Sequence, residues 1–242
     1  MRNPIAERFG RSLGSYDSAA VVQQFVACRM LSLMTDIDVT LRSRHDAIFE
    51  FGCGTGFFTS GLVDALQPET LYVNDVSDAM LASTCQRLAA VQSDRVFTVV
   101  SIHDDAEASV WPVDLDLVAS ASVTQWFQNP LASISKAHAS LRTGGQFWVG
   151  TYGPETFREL RGGAPDNDHY PLLTQWTESL EQSGFRILAA SREFYHQHFD
   201  TRTDMLRMMA MTGIGTRRDS SASAVGSDLT WDVIIVGAEK IS

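Results

Sequence analysis

No stretch of this 242-residue chain reaches the eighteen or so uncharged apolar residues that a membrane-spanning helix needs. Its first residues, MRNPIAERFGRSLGSYD, contain no apolar core of the kind a secretory signal peptide requires. Together these two absences predict a cytoplasmic protein with no membrane partner. Cysteine is scarce. Cys28, Cys53 and Cys85 are odd in number and far apart, which excludes both a zinc spacing and a disulfide framework and leaves three reduced thiols. Positive charge is also in short supply, with 19 Lys and Arg against 29 Asp and Glu and a net charge of −10. A chain this acidic is not expected to lie along nucleic acid, where a basic stripe displaces counterions. The deficit is uneven: residues 1–44 carry six Arg against four acids, whereas residues 45–150 carry four bases against twelve.

What is present is the pattern of an α/β fold. An apolar share of 44% and a charged share of 20% are those of a globular domain. Residues 17–42 open on Asp17 and place Val21, Val22, Phe25, Val26, Met30, Leu31 and Met34 at helical spacing. Short apolar runs follow at 46–51, 70–76, 96–101, 115–120 and 146–151. Their mean spacing of roughly 25 residues leaves room for one crossover helix each, as a parallel sheet requires. Helices are expected at 56–66, 78–91 and 130–141, then a short one at 154–161, a loop at 162–168, and longer ones at 172–183 and 202–211. Strands at 185–195 and 229–238 suggest a closing hairpin, and the Ser-rich stretch 216–228 is expected to be a mobile loop.

The chemistry begins at Ile48-Phe49-Glu50-Phe51-Gly52-Cys53-Gly54-Thr55-Gly56, where a strand runs into a glycine-rich turn and then a helix. Such a turn lets a ligand rest on bare backbone at a helix N-terminus. A dinucleotide fingerprint counted from Gly52 puts Phe57 where its third glycine belongs, so a nicotinamide cofactor fits poorly. Asp75 ends the next strand, where an acid accepts ribose hydroxyls, although the same residue reads equally as a turn carboxylate ahead of the helix from Asp78. Asp104-Asp105-Ala106-Glu107 ends the third strand and offers a carboxylate or backbone group to a base. Cys53 reads as a small loop residue and His103 as a solvent-facing turn residue.

The G-x-G-x-G spacing with an acid two residues before it resembles the signature of class I methyltransferases, which bind S-adenosylmethionine (SAM). Further segments resemble the malonyl-acyl-carrier-protein O-methyltransferases of biotin synthesis over nearly the whole chain: Phe9-Gly10-Arg11-Ser12 with Tyr16-Asp17 and Ala19-Ala20-x-x-Gln23; Ser120 to Phe127 with its Gln125-Trp126; Thr151-Tyr152-Gly153-Pro154-Glu155-Thr156 through Leu160; and Met205-Leu206-Arg207 with Thr212-Gly213. One departure is Ala121, where that family commonly has Asn.

The resemblance implies a Rossmann-like fold: a mostly parallel seven-stranded sheet with helices on both faces and a C-terminal antiparallel hairpin. It implies a single domain over 1–242, in which 1–44 form part of the substrate cover, 45–151 the SAM-binding core and 152–242 the acceptor side. It also implies methyl transfer from SAM to the free carboxylate of a malonyl group on acyl-carrier protein or CoA. The implied cofactor contacts are Tyr16, Glu50, Gly52, Cys53, Gly54, Gly56, Asp75, Val76, Met80, Asp104, Asp105, Ala106 and Ser120. Tyr16, Gln125 and Trp126 are the implied catalytic residues, and Tyr152 and Arg207 the implied acceptor contacts. Each of these has an ordinary packing or surface alternative. For the acidic carrier, docking groups are Arg2, Arg8 and Arg11, or Arg158, Arg161, Arg217 and Arg218. Two rival readings are methylation of another small carboxylic acid and SAM binding without turnover.

Overall fold

A computed structural model describes residues 19–37, 46–91, 96–166, 168–212 and 228–241. Helix α1 (Val21–Ile37) precedes β1 (Ala47–Phe51), α2 (Phe57–Leu66), β2 (Thr70–Asp75), α3 (Asp78–Val91), β3 (Thr98–His103) and β4 (Leu115–Ala121). A 3₁₀ turn (Thr124–Trp126) leads to α4 (Ala132–Ser140) and β5 (Leu141–Tyr152). A second 3₁₀ turn (Arg158–Arg161), α5 (Leu173–Gln182), β6 (Phe185–His198), α6 (Arg202–Thr212) and β7 (Asp228–Lys240) complete the chain.

The seven strands form one sheet in the order β3-β2-β1-β4-β5-β7-β6. Pairings among β1 to β5 are parallel, and β7 runs antiparallel to both β5 and β6. The central strands read as unbroken apolar runs because both of their faces are covered. Ile48, Leu117, Trp148 and Ile235 belong to a core shared with α1, α2, α3 and α6, whereas Phe49, Val118, Phe147 and Ile234 face a second core built with α4 and α5. The order reverses at β1 and β4. Adjacent strand ends there diverge into connections on opposite faces, and a crevice opens at their C-terminal edge.

Three expectations from sequence change in detail. The crossover between β3 and β4 holds a single turn and no helix: Asp104 Oδ1 accepts the Asp105 N–H (2.8 Å), Asp105 Oδ1 accepts the Glu107 N–H (3.0 Å), and the Asp105 carbonyl accepts the N–H groups of Ala108 and Ser109. Asp105 thus caps the one turn that forms there. The helix expected at 154–161 is a turn followed by the 3₁₀ segment, entered through Phe157 at φ +58°. The closing strands pair antiparallel but not as a simple hairpin, since β7 inserts between β5 and β6 after the long excursion through α6. The 216–228 stretch lies almost wholly outside the described residues.

The β5–β7 pairing has one tight constraint. Trp148 is fully buried opposite Gly237, and a Cβ built on that glycine would fall 2.6 Å from the indole ring. The indole N–H donates to Gln146 Oε1 at 2.8 Å, so the ring cannot swing aside freely. Gly237→Ala is therefore expected to lower stability by about 1–3 kcal/mol through overpacking. Urea denaturation would measure this, and Trp148→Leu in the same chain should recover part of the loss.

Candidate active site

The crevice at the β1/β4 switch is a deep pocket. Strand β1 delivers Glu50 and then the turn Gly52-Cys53-Gly54-Thr55, whose backbone is held from below: the N–H groups of Gly52 and Cys53 both donate to the Asn74 carbonyl, at 2.8 and 2.9 Å. Gly52 adopts φ +71° and lies so close to Val123 that a Cβ would come within 2.2 Å of its side chain. Gly54, at φ +55°, has open space where a Cβ would be, so its bare backbone forms a ledge facing the pocket. Asp75 locks this ledge by accepting the Gly54 N–H at 2.9 Å through Oδ2 and the Ser77 N–H at 2.8 Å through Oδ1.

On the other side, the Asn74 amide donates to the carbonyls of Ile102 (3.0 Å) and Asp104 (2.9 Å), which fixes the turn after β3. Asp105, Ala106 and Glu107 line the pocket there, with Phe127 nearby. Ser122, Val123 and Trp126 form the wall that follows β4. Ser122 sits at φ +62°, donates its N–H to the Gly150 carbonyl (2.7 Å) and shares a 3.0 Å hydroxyl hydrogen bond with Tyr152. The lid side comes from α1 and the residue before it: Ala20, Gln23, Gln24 and Ala27.

The electrostatics are one-sided. The titratable lining groups among the described residues are Glu50, Cys53, Asp75, Asp105 and Glu107, with no Lys, Arg or His among them. Glu50 is 1% exposed, and its Oε2 has no hydrogen-bond partner among the described residues. Burial pushes its pKa up to about 8; the Thr59 hydroxyl offsets part of that rise and the nearby Asp75 charge adds to it. Burial also raises Asp75, against the hydrogen bonds from Ser77 and Gly54, and raises the Cys53 thiol well above its ordinary value. Cys53 is therefore a neutral thiol, in keeping with a small loop residue. Gln23 Nε2 is a second buried polar atom without a partner among the described residues.

Of the cofactor contacts expected from sequence, Glu50, Gly52, Cys53, Gly54, Asp75, Val76, Met80, Asp105 and Ala106 line this one pocket. Gly56, Asp104 and Ser120 stand behind it. Gly56 packs towards Thr84, the Asp104 carbonyl serves Asn74, and the Ser120 hydroxyl donates to the Phe51 carbonyl at 2.8 Å. Trp126 reaches the pocket, whereas Gln125 does not line it: its Nε2 donates to the Ser122 carbonyl at 2.6 Å, and its buried Oε1 lacks a partner among the described residues. Tyr152 is fully buried and meets the wall through Ser122. Arg207 is exposed and paired with Asp204 at 2.8 Å. Tyr16, Arg2, Arg8, Arg11, Arg217 and Arg218 lie outside the described residues. Arg161 is committed to the carbonyls of Pro154, Thr156 and Ala164, and Arg158 pairs with Glu155 and Glu159.

The lining from α1 was missed, although its signal was present: Ala20, Gln23, Gln24 and Ala27 recur at i, i+3, i+4 and i+7, a stripe of small and amide residues beside the apolar face of the helix. Asn74, Thr55, Phe57 and Phe58 carried no such signal.

The raised Glu50 has a direct consequence. Its folded-state value of about 8 exceeds the ordinary carboxylate value of about 4.3, so the folded chain holds a proton that the unfolded chain has lost. Stability from this group is complete below pH 4 and is lost as pH rises towards 8. Glu50→Gln is expected to raise the melting temperature by a margin that widens from about pH 5 to pH 8 and then stays constant. Thermal melts of both proteins across that range would show it; a margin independent of pH would refute the buried, unpaired carboxylate.

Residues 49–147 match the family described as a methyltransferase domain. A malonyl-[acyl-carrier protein] O-methyltransferase from Bacteroides helcogenes is 32% identical over 231 residues, covering 88% of this chain and 83% of that protein. The protein of the same name from a Paenibacillus species is 29% identical, with the same coverage of both chains. Among solved structures, magnesium protoporphyrin IX methyltransferase from Synechocystis, determined with bound SAM, superimposes with a TM-score of 0.55 at 15% identity, covering 90% of this chain and 79% of that one. The strand order, the crevice at its reversal and the sequence shared over 88% of the chain make one case: this chain is a SAM-dependent O-methyltransferase of the Rossmann-like class I fold and belongs to the malonyl-[acyl-carrier protein] O-methyltransferase family.

Proposed function

We propose that this protein, working as a single catalytic domain, transfers the methyl group of SAM to the free carboxylate of a malonyl group carried on acyl-carrier protein, giving the methyl ester that primes chain building for biotin. The observation that carries this reading is the 32% identity to a malonyl-[acyl-carrier protein] O-methyltransferase over 88% of the chain, since it includes the acceptor-side segments beyond β5 as well as the cofactor loop. The pocket supports it chemically. An alcohol acceptor would need one of the lining acids to serve as its base. A carboxylate is ionised at neutral pH and needs no such help.

The residues present fit SAM. Glu50 is a buried acid that lacks a cation, Gly54 presents bare backbone, and Asp75, which accepts backbone N–H groups on its carboxylate, keeps a lone pair for a hydroxyl. Glu50 and Gln23 would hold the charged amino-acid end, Asp75 the ribose, and the Asp105–Ala106 edge the base. SAM supplies the electrophilic methyl group. The chain's own residues orient and desolvate: Ser122, Val123, Trp126 and Phe127 make a wall that strips water from an incoming carboxylate, and Gln125 and Tyr152 hold that wall through Ser122. Tyr16 would close the site from the N-terminal side. An acidic carrier needs a basic landing, and with Arg161 committed to backbone carbonyls, the favoured group is Arg2, Arg8 and Arg11.

Labelled SAM offered with malonyl-acyl-carrier protein, malonyl-CoA and free malonate should yield a base-labile methyl ester preferentially on the carrier-bound substrate. Transfer only to another free acid would replace this reading. Two further outcomes are expected. Because the acceptor needs no base, kcat should stay flat from about pH 6 to 9, while kcat/KM for SAM should climb as pH approaches 8, where free Glu50 ionises. Charge reversal at Arg2, Arg8 and Arg11 together should raise KM for the carrier-bound substrate and spare the KM for SAM.

A further inference from the structure

We propose that Lys136, on the far side of the sheet from the cofactor ledge, is the positioning residue that holds the base-binding edge of the pocket in shape. The proposal rests on the reading of the pocket as the SAM site. The edge in question, Asp105 to Trp111, is a connection without a helix, so most of its carbonyls have no partner within secondary structure. Lys136 Nζ, rising from α4, collects three of them: Ala106 at 2.8 Å, Glu107 at 2.7 Å and Ser109 at 2.6 Å. The ammonium has three protons and all three are used. It also lies 5.2 Å from the centroid of the Trp111 ring, whose own N–H donates to the Ala106 carbonyl at 2.8 Å. That carbonyl therefore has both lone pairs engaged.

The same loop is pinned from its other side. The Glu107 carboxylate accepts the N–H groups of Gln128 and Asn129, both at 2.8 Å, just ahead of α4. Trp111 stacks on Phe51 at 4.7 Å and 28°, directly beneath the residue that leads into Gly52. One ammonium thus couples α4, the 105–111 connection and the end of β1, while Asp105, Ala106 and Glu107 present their other sides to the pocket. Burial lowers the Lys136 pKa and the neighbouring Asp105, Glu107 and Asp104 charges counter that fall, so the ammonium is kept by the acids it stands among.

Residue usage points the same way. Only two of the nineteen cationic residues are lysine, and the other, Lys240, also caps carbonyls, those of His138 (2.7 Å) and Leu141 (2.8 Å). Three carbonyls converging on one point suit a compact ammonium; a planar guanidinium directs its N–H groups outward and cannot satisfy them together. Lys136→Arg, a conservative change at most surfaces, should therefore behave here like Lys136→Met.

The test is calorimetric titration of S-adenosylhomocysteine and of 5′-methylthioadenosine, which keeps the base and ribose but lacks the amino acid, into wild type, Lys136→Met, Lys136→Arg and Glu50→Gln. Both Lys136 variants are expected to lose about tenfold in affinity for both compounds, with kcat at saturating SAM within about twofold of wild type. Glu50→Gln should weaken S-adenosylhomocysteine alone. Undiminished affinity in the Lys136 variants, or a loss confined to S-adenosylhomocysteine, would overturn the proposal. If neither Lys136 variant folds, Glu107→Ala removes the opposite pin and must show the same parallel loss; wild-type affinity there also overturns it. A wild-type chain that binds neither compound would instead refute the cofactor reading on which the proposal stands.

Discussion

The structure turns on a buried acid with one oxygen that no described residue answers. Glu50 lies near the C-terminal end of β1, inside a seven-stranded sheet, almost fully buried, with one carboxylate oxygen lacking a partner among the described residues and a pKa pushed up to about 8. A group in that position costs stability and contributes nothing to the core. That cost fits the proposed role of the site, in which a cationic cofactor supplies the missing positive charge. The pocket extends the same logic. Its described titratable lining groups are acidic or thiol, so its attraction for a cationic cofactor is built into the fold before any ligand arrives.

Around that acid, the pocket is shaped more by backbone than by side chains. The Asn74 carbonyl receives two N–H groups of the glycine turn, and its amide donates to two carbonyls of the turn after β3, so one residue ties together the two loops that flank the cofactor. Asp75 and Lys136 do similar work at the two ends. Several residues that resemble catalytic groups thereby act as scaffolding. Tyr152 and Gln125 reach the pocket through Ser122, and the Gly-Pro-Glu-Thr segment wraps the buried Asp232, whose carboxylate is held by Arg192 at 2.8 and 2.9 Å and by the Glu155 N–H at 3.0 Å. A side chain on Gly153 would collide with that carboxylate, which explains why a glycine stands there. The proposed chemistry asks little of such a protein: a carboxylate acceptor would need alignment and a dry wall, both of which rigid loops supply.

Sequence and structure agree where the signal is local and physical. Strands buried on both faces read as unbroken apolar runs, and the glycine turn, whose spacing leaves bare backbone at a helix start, lines the pocket. Nine of the expected cofactor contacts meet in one pocket although they come from three separate strand ends. The spacing left room for a crossover helix between β3 and β4, where only a single turn capped by Asp105 forms. It did not disclose that β7 slips between β5 and β6, since the order of strands in a sheet follows from long-range packing.

The linear order of residues by itself determined the class of fold, the cofactor loop, the acid that waits at its base and the family to which the chain belongs, because each of these is written in neighbouring residues whose spacing matches a helix, a strand or a turn. Only the tertiary structure decided which polar side chains face the pocket and which stand behind it. Gly56, Asp104 and Ser120 carry the same composition as their neighbours and serve the scaffold, while Gln23 from α1 and Ser122 after β4 face the ligand side. That division depends on which way each strand end turns and on what packs behind it, and neither is fixed until the two cores close on the sheet.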